Sequence, residues 1–312
     1  MRLHVRLPGP ASQAGRSAAD AAWDRVRAEF DAVDGALSRF RADSELTALN
    51  RLAGTGKVVE VSWRLRTAVA AAHRAGRLTD GRFDARVLST LERIGERGAA
   101  LHVDGVDRSS GRAAAARRPE TDTRPPNRIE VPDAPLDMGG IGKGLALRWA
   151  AAEAIAVLPP RTGLLLEAGG DVVQAGDAPA EGWLVGIEDP VAVPGPDVEP
   201  IAVVAVRRGA VATSSIRVRH WVGPDGTPVH HLVDPRTGEP ARTGLIAVTV
   251  AGIDPAWAEV WSKALFLAGR GSIGDEARHR GLAAWWVDEE GRLGMTPEAR
   301  LRSAWVAETR LG

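Results

Sequence analysis

The chain has 312 residues, 44% hydrophobic and 26% charged, enough to bury the core of one large domain or of two intimate subdomains. Forty basic residues balance forty acidic ones, so no net field favours nucleic acid or a membrane surface. The absence of cysteine excludes disulfides, thiolate metal sites, a cysteine nucleophile and a lipid-anchoring cysteine. In chain order, residues 2–7 alternate as a short strand does, and Ser17 with Asp20 offers a helix cap. Trp23, Val26, Phe30, Val33, Leu37 and Phe40 then recur at spacings of three and four, predicting an amphipathic helix. Ser44 reads as the N-cap of a short helix that Asn50 stops. Lys57–Val61 reads as a strand, and Ser62 caps a long helix through about Leu78. Gly81-Arg82-Phe83-Asp84 is a polar turn around one aromatic, in which Asp84 either caps the next helix or faces a ligand.

Residues 104–128 are rich in Arg, Ala and Pro without periodicity, and predict a mobile inserted loop. Asp137–Gly144 then packs four glycines and Lys143 into eight residues ahead of an apolar helix that Pro159-Pro160 ends. A glycine turn followed by a helix start suits a phosphate, because its N–H groups and dipole favour negative charge. The same pattern also serves tight packing, and it matches neither the P-loop nor the three-glycine dinucleotide fingerprint. Gly163–Glu167 reads as a buried strand, and Ala168–Asp171 as a second glycine turn. The strand after that turn is expected to form a hairpin with Trp183–Ile187. Further strands are expected at Ile201–Val206, Ala210–Thr213, Arg217–Trp221, Val229–Val233 and Leu245–Val250, with Thr213-Ser214-Ser215 in a connection between two of them. Asp234–Gly238 is a turn, Asp254-Pro255 opens a helix to Gly269, and strands near 282–287 and 303–306 close the chain. The expected fold class is α+β with a mixed, largely antiparallel sheet, a subdomain boundary lying near residue 160 if there are two.

Five segments occur in one order: Phe40-x-x-Asp43-Ser44-Glu45-Leu46-x-x-Leu49-Asn50, Gly81-x-Phe83-Asp84, Asp137–Gly144, Ala168–Asp171, and Ala212–Ser215 with His230–Asp234 and its turn. Together they make a chain that resembles the FAD:protein FMN transferases of the ApbE family from about residue 37 to 270. The resemblance implies the ApbE fold, FAD as substrate with AMP released, and FMN esterified to a threonine or serine of an acceptor protein with help from Mg²⁺. It implies an FAD site lined by Gly81, Arg82, Phe83, Asp84, Asp137, Gly139, Lys143, Gly169, Gly170, Asp171, Thr213 and Leu232. It implies His231 as the general base, Asp234 as a holder of the turn, and Gly140 as a carbonyl ligand of the metal. The chain departs from the family at Trp257–Leu265, where the family's metal-holding aspartate and threonine are replaced by Glu259 and Lys263, with Ser262 beside them. A charged lysine is no ligand for a hard cation that wants oxygen donors. Glu259 and Lys263 are also spaced as a surface ion pair. A flavin-binding protein without catalysis and an FAD pyrophosphatase therefore stay open beside the transferase. No nucleic-acid partner is expected. No apolar run predicts a membrane span, and no apolar signal-peptide core is visible, so cytoplasmic location is expected.

Overall fold

The computed structural model describes residues 1–9, 12–96, 127–192 and 198–311. The elements are β1 (Arg2–Arg6), α1 (Gln13–Leu37), α2 (Glu45–Asn50), β2 (Val58–Val61), α3 (Trp63–Leu78), α4 (Leu88–Arg93), β3 (Asn127–Glu130) and α5 (Gly142–Ala156). There follow β4 (Gly163–Ala168), β5 (Asp171–Gly176), β6 (Trp183–Ile187), β7 (Ala202–Val206), β8 (Gly209–Ser215), β9 (His220–Val222), β10 (Pro228–His230), β11 (Val233–Asp234) and β12 (Glu239–Pro240). The last part holds β13 (Leu245–Gly252), α6 (Pro255–Ala268), α7 (Ile273–His279), β14 (Ala283–Asp288), β15 (Leu293–Met295), α8 (Pro297–Arg302) and β16 (Ser303–Val306). Two compact units result. The first comprises Met1–Glu29, Lys143–His220 and Ala241–Gly312; the second comprises Phe30–Gly142 and Trp221–Pro240. Residue 160 thus falls inside the first unit, where the turn after Pro159 only carries α5 into β4.

The first unit is built on a seven-stranded sheet of order β1-β4-β5-β8-β13-β14-β15, in which every pairing is antiparallel. One face buries Leu165, Val172, Val211, Ala251 and Trp285 in a common core with Ile187, Val204 and Val306 of a small β16-β7-β6 sheet. The other face carries α6. Side chains alternate along a strand, and Ser214 of β8 reaches Ser262 of α6, so its neighbour Thr213 points to the opposite face. Asp254 caps α6 by accepting from Ala256 N and Trp257 N, and Pro255 occupies the first helical turn. Gly144 of α5 lies against this helix start, where an added Cβ would fall 2.5 Å from the Pro255 carbonyl oxygen. A glycine is required there by close backbone approach.

In the second unit, Ser44 and Ser62 cap α2 and α3 through their hydroxyls, as expected. Asn50 does more than stop α2. Its side chain donates to the Leu136 carbonyl and accepts from the Leu136 N–H, each at 2.8 Å, clamping the segment just before Asp137. Strands β2 and β3 pair in register Val59 to Ile129. The expected loop at 104–128 lies outside the described residues except for its last two, which open β3. Leu91 and Ile94 at the end of α4 pack on Val233 of β11, and Trp221 Nε1 donates to the Ile94 carbonyl at 2.8 Å.

Three local expectations are corrected. Helix α1 starts at Gln13, before Ser17, because Ser12 Oγ accepts from Gly15 N. Strand β5 pairs with β4 and β8, while β6 joins β7 in the small sheet. Residues Thr213–Ser215 are not a connection but the end of β8, in register with Thr249, Val248 and Ala247 of β13.

Candidate active site

The polar centre of the first unit lies where β5, β8, α5 and α6 meet. The β4–β5 turn spans only Gly169 and Gly170, with φ of 59° and 87° and Ala168 paired to Asp171. Positive φ at both central residues makes this a hairpin turn that glycine forms without strain. It delivers Asp171, whose side chain is 3% exposed. Its Oδ1 accepts from Thr213 N at 2.9 Å, and its Oδ2 lies 2.5 Å from Lys143 Nζ. Thr213 Oγ1 is 2.9 Å from Thr249 Oγ1, directly across the strand pair. Burial alone would lower the Lys143 pKa, but the Glu259 and Asp171 carboxylates outweigh it and hold the ammonium above its ordinary value.

Glu259 is 4% exposed, not half of a surface pair. Its Oε2 accepts from Gly144 N at 2.8 Å, in the first turn of α5, while its Oε1 is buried without a hydrogen-bond partner. The carboxylate satisfies an N–H that the helix itself leaves open. Burial pushes its pKa up to about 7, opposed by the charges of Lys143 and Lys263. Ser262, fully buried, donates to the Glu259 carbonyl and pairs with Ser214 Oγ at 2.8 Å. Lys263 is half-buried one residue on, and its charge reaches Glu259.

The second unit gathers the remaining expected residues into two groups. In one, Arg39 is 5% exposed and pairs with both Asp137 and Glu96. Asp137 Oδ1 also accepts from Gly139 N at 2.6 Å. An added Cβ on Gly139 would meet that same carboxylate oxygen at 2.7 Å, so the glycine is dictated by the turn. Gly140 is buried beyond it. The Asp137 carboxylate is therefore engaged in holding the glycine turn. In the other group, Gly81 (φ 75°) donates to the Gly76 carbonyl and closes α3 in a Schellman turn. Phe83 is 2% exposed. Asp84 caps the short 3-10 turn Ala85–Val87 through Arg86 N and pairs with the Arg86 side chain at 2.6 Å. Asp234 repeats the device with Arg236 N and its guanidinium, which hold its pKa below the ordinary range, and the charge of Arg82 adds to the effect. The 81–84 and 231–234 segments are thus neighbours. Leu232 is fully buried, and His231 is half-buried with its carbonyl accepting from Val233 N.

The family model described as ApbE family matches residues 2–286. The chain belongs to the ApbE family. It is 28% identical over 298 residues to the FAD:protein FMN transferase of Klebsiella pneumoniae (strain 342), covering 90% of this chain and 82% of that one. It is 26% identical to the protein of that name from Escherichia coli (strain K12), over 86% of this chain and 77% of that one. Among solved structures, the ApbE protein of Thermotoga maritima superimposes with a TM-score of 0.74 at 28% identity, covering 95% of this chain and 94% of its own. The apo flavinyl transferase ApbE of Pseudomonas stutzeri gives 0.73 at 23% identity, with 98% of both chains covered, and shares the fold.

The ApbE motifs resolve into turn chemistry and polar anchors. Sequence reasoning missed Arg39, Ser214 and Thr249. Ser214 had a signal, since alternation in β8 places it opposite Thr213. Arg39 had none, because a single arginine in an arginine-rich chain gives no hint of burial. Among the described residues, no group of three or more His, Cys, Asp and Glu is arranged to hold a metal ion, and no helix is long and apolar enough to cross a membrane.

Proposed function

We infer that this ApbE-family chain moves FMN from FAD to a threonine or serine hydroxyl of an acceptor protein. The acceptor Oγ forms a bond to the flavin-side phosphorus. The bond from that phosphorus to the bridging oxygen breaks, and the oxygen leaves with its electron pair as part of AMP. Such a displacement needs charge neutralised on the transferred group and a positioned hydroxyl, and little covalent chemistry from the protein. Family membership over residues 2–286 carries this reading. The Lys143 ammonium supports it, because it is held by a dry carboxylate on one side while 44% of its side chain stays accessible to an anionic substrate. We assign the proton of the acceptor hydroxyl to His231, because histidine is the side-chain type suited to general-base work near neutral pH; FAD contacts are assigned to the 168–171 turn in the first unit and to the 81–84 turn and Leu232 in the second.

The resemblance also implies magnesium held by Gly140, Glu259 and Ser262. The donors of the first unit do not make that site. Magnesium wants about six hard oxygens in near-octahedral order. Both Asp171 oxygens and Glu259 Oε2 are engaged, and Ser262 Oγ is bonded to Ser214 and the Glu259 carbonyl. One side-chain oxygen of the set, Glu259 Oε1, is left, and two ammonium charges act on that carboxylate.

Incubation with FAD, followed by chromatography for AMP, tests the proposal. Transfer predicts AMP release that depends on an added acceptor domain. AMP and free FMN at equal rates without acceptor would make the chain a pyrophosphatase. FAD binding without AMP would make it a flavin-binding protein.

A further inference from the structure

We propose that Arg39 is a positioning residue for flavin transfer: buried beside Asp137, it fixes the glycine turn Met138–Gly142 in the one shape that serves FAD. The inference rests on the transferase reading, in which Asp137 and Gly139 belong to the FAD site. It adds a residue that acts through Asp137 rather than on FAD.

Arg39 lies in the link between α1 and α2. Its side chain is 4% exposed, and its partners Asp137 and Glu96 are 8% and 10% exposed. Nη2 lies 2.7 Å from Glu96 Oε2, and Nε contacts Asp137 Oδ2. The guanidinium carbon sits 4.2 Å from the centre of the Phe40 ring. Two carboxylates and an aromatic face therefore hold one cation. The backbone beside it is held as well, since the Ser44 hydroxyl donates to the Ser38 carbonyl.

Asp137 divides its two oxygens. Oδ2 faces Arg39, and Oδ1 accepts from Gly139 N at 2.6 Å. The turn then closes on itself, with Ile141 N and Gly142 N both donating to the Met138 carbonyl, at 3.1 and 2.7 Å. Ahead of the turn, Asp137 N donates to the Ala85 carbonyl at 2.7 Å, and Asn50 clamps Leu136. The direction of the Asp137 carboxylate decides the path of the turn, and the Arg39 guanidinium sets that direction. Stability alone is a poor reason for such a cluster, because apolar residues of the same volume often serve as well. A planar guanidinium can meet two carboxylates at fixed angles, which a lysine ammonium does less well. The cluster thus specifies a geometry, and catalysis by positioning depends on groups held in place beforehand. Arg39 itself makes and breaks no bond.

The test uses the full chain, with FAD binding titrated by fluorescence, AMP release followed with an acceptor domain, and the thermal midpoint measured for each protein. Arg39→Gln is expected to lose about 10- to 100-fold in kcat, the scale of a small misplacement, and about 10-fold in FAD affinity. Arg39→Lys should recover part of both. Glu96→Gln removes a carboxylate of the same cluster but leaves Arg39 on Asp137. It should lower the midpoint with FAD affinity and kcat unchanged. Asp137→Asn keeps an acceptor for Gly139 N and loses the charge that Arg39 faces. On that background Arg39→Gln is expected to cause no further loss, because the two side chains act as one unit. This double variant leaves no unpaired charge at Asp137, so it carries the test if Arg39→Gln alone does not fold. The proposal is overturned if Arg39→Gln binds and turns over FAD like the wild type, or if its losses recur in full on the Asp137→Asn background. It is also overturned if Glu96→Gln, at a similar midpoint, loses as much as Arg39→Gln, which would leave the cluster a matter of stability. If the wild type binds FAD but releases no AMP, the transferase reading has failed, and the FAD affinities alone decide the role of Arg39. A wild type that does not bind FAD overturns both.

Discussion

Two side chains of the second unit carry separable predictions. His231 is assigned the acceptor proton. Replacing it by alanine is expected to lower transfer by about two to four orders of magnitude, the usual worth of a positioned base, with FAD affinity and thermal midpoint nearly unchanged. A midpoint that falls with activity would make His231 a support of the Asp234 turn instead. Asp234 is a matter of stability and pH. Its folded pKa is depressed below its ordinary value of 3.8, chiefly by the Arg236 guanidinium. A depressed carboxyl stabilises the fold above the unfolded pKa, and that contribution disappears as pH falls through and below this range. Asp234→Asn keeps the acceptor for Arg236 N and removes the charge. Because the Arg236 side chain is 54% exposed, the loss at pH 7 is expected on the order of 1 kcal/mol or less. It should shrink toward zero when the midpoints are compared below pH 3.8. A difference independent of pH would contradict the assignment.

At the scale of elements, the joints matter more than the spans. Gly144 lets α5 approach the start of α6, so Gly144→Ala forces a Cβ onto the Pro255 carbonyl. Overpacking of this kind costs about 1–3 kcal/mol, roughly 2–4 °C of midpoint per kcal/mol at this size, and it also disturbs the N–H that Glu259 accepts from. Calorimetry on the alanine variant checks this, and an unchanged midpoint would refute it. The joints legible in the sequence are those whose causes are local. The caps at Ser44, Ser62 and Asp254 were readable because each needs only its own next three residues. The pairing of β5 with β4 was missed because Trp183–Ile187 alternates as well as any partner, and only the two-glycine turn and the buried face of β4 decide between them. Thr213–Ser215 looked like a connection because polar residues in a row favour turns, yet each finds a neighbour in β13, α6 or Asp171. Glu259 misled most. Spacing of four to a lysine describes a surface pair equally well, and only the fold puts the Gly144 N–H within its reach.

At the scale of the whole molecule, the chain joins an antiparallel seven-stranded unit to a second unit of helices and hairpins. Its charged residues cancel overall but are placed unevenly. Asp171, Lys143 and Glu259 are concentrated where α5 and α6 begin and run beside the sheet. The two carboxylates of this group are buried, and buried ionic groups are weak evidence for stability; their presence beside the accessible Lys143 ammonium fits a protein that handles a charged substrate. That substrate and its fate are the central claim. The direct measurement is the intact mass of an acceptor domain incubated with this protein and FAD, read together with the AMP released. The account predicts a mass gain of one FMN on a threonine or serine, with one AMP per acceptor modified. An acceptor of unchanged mass, while FAD is either left intact or hydrolysed to free FMN, would contradict it.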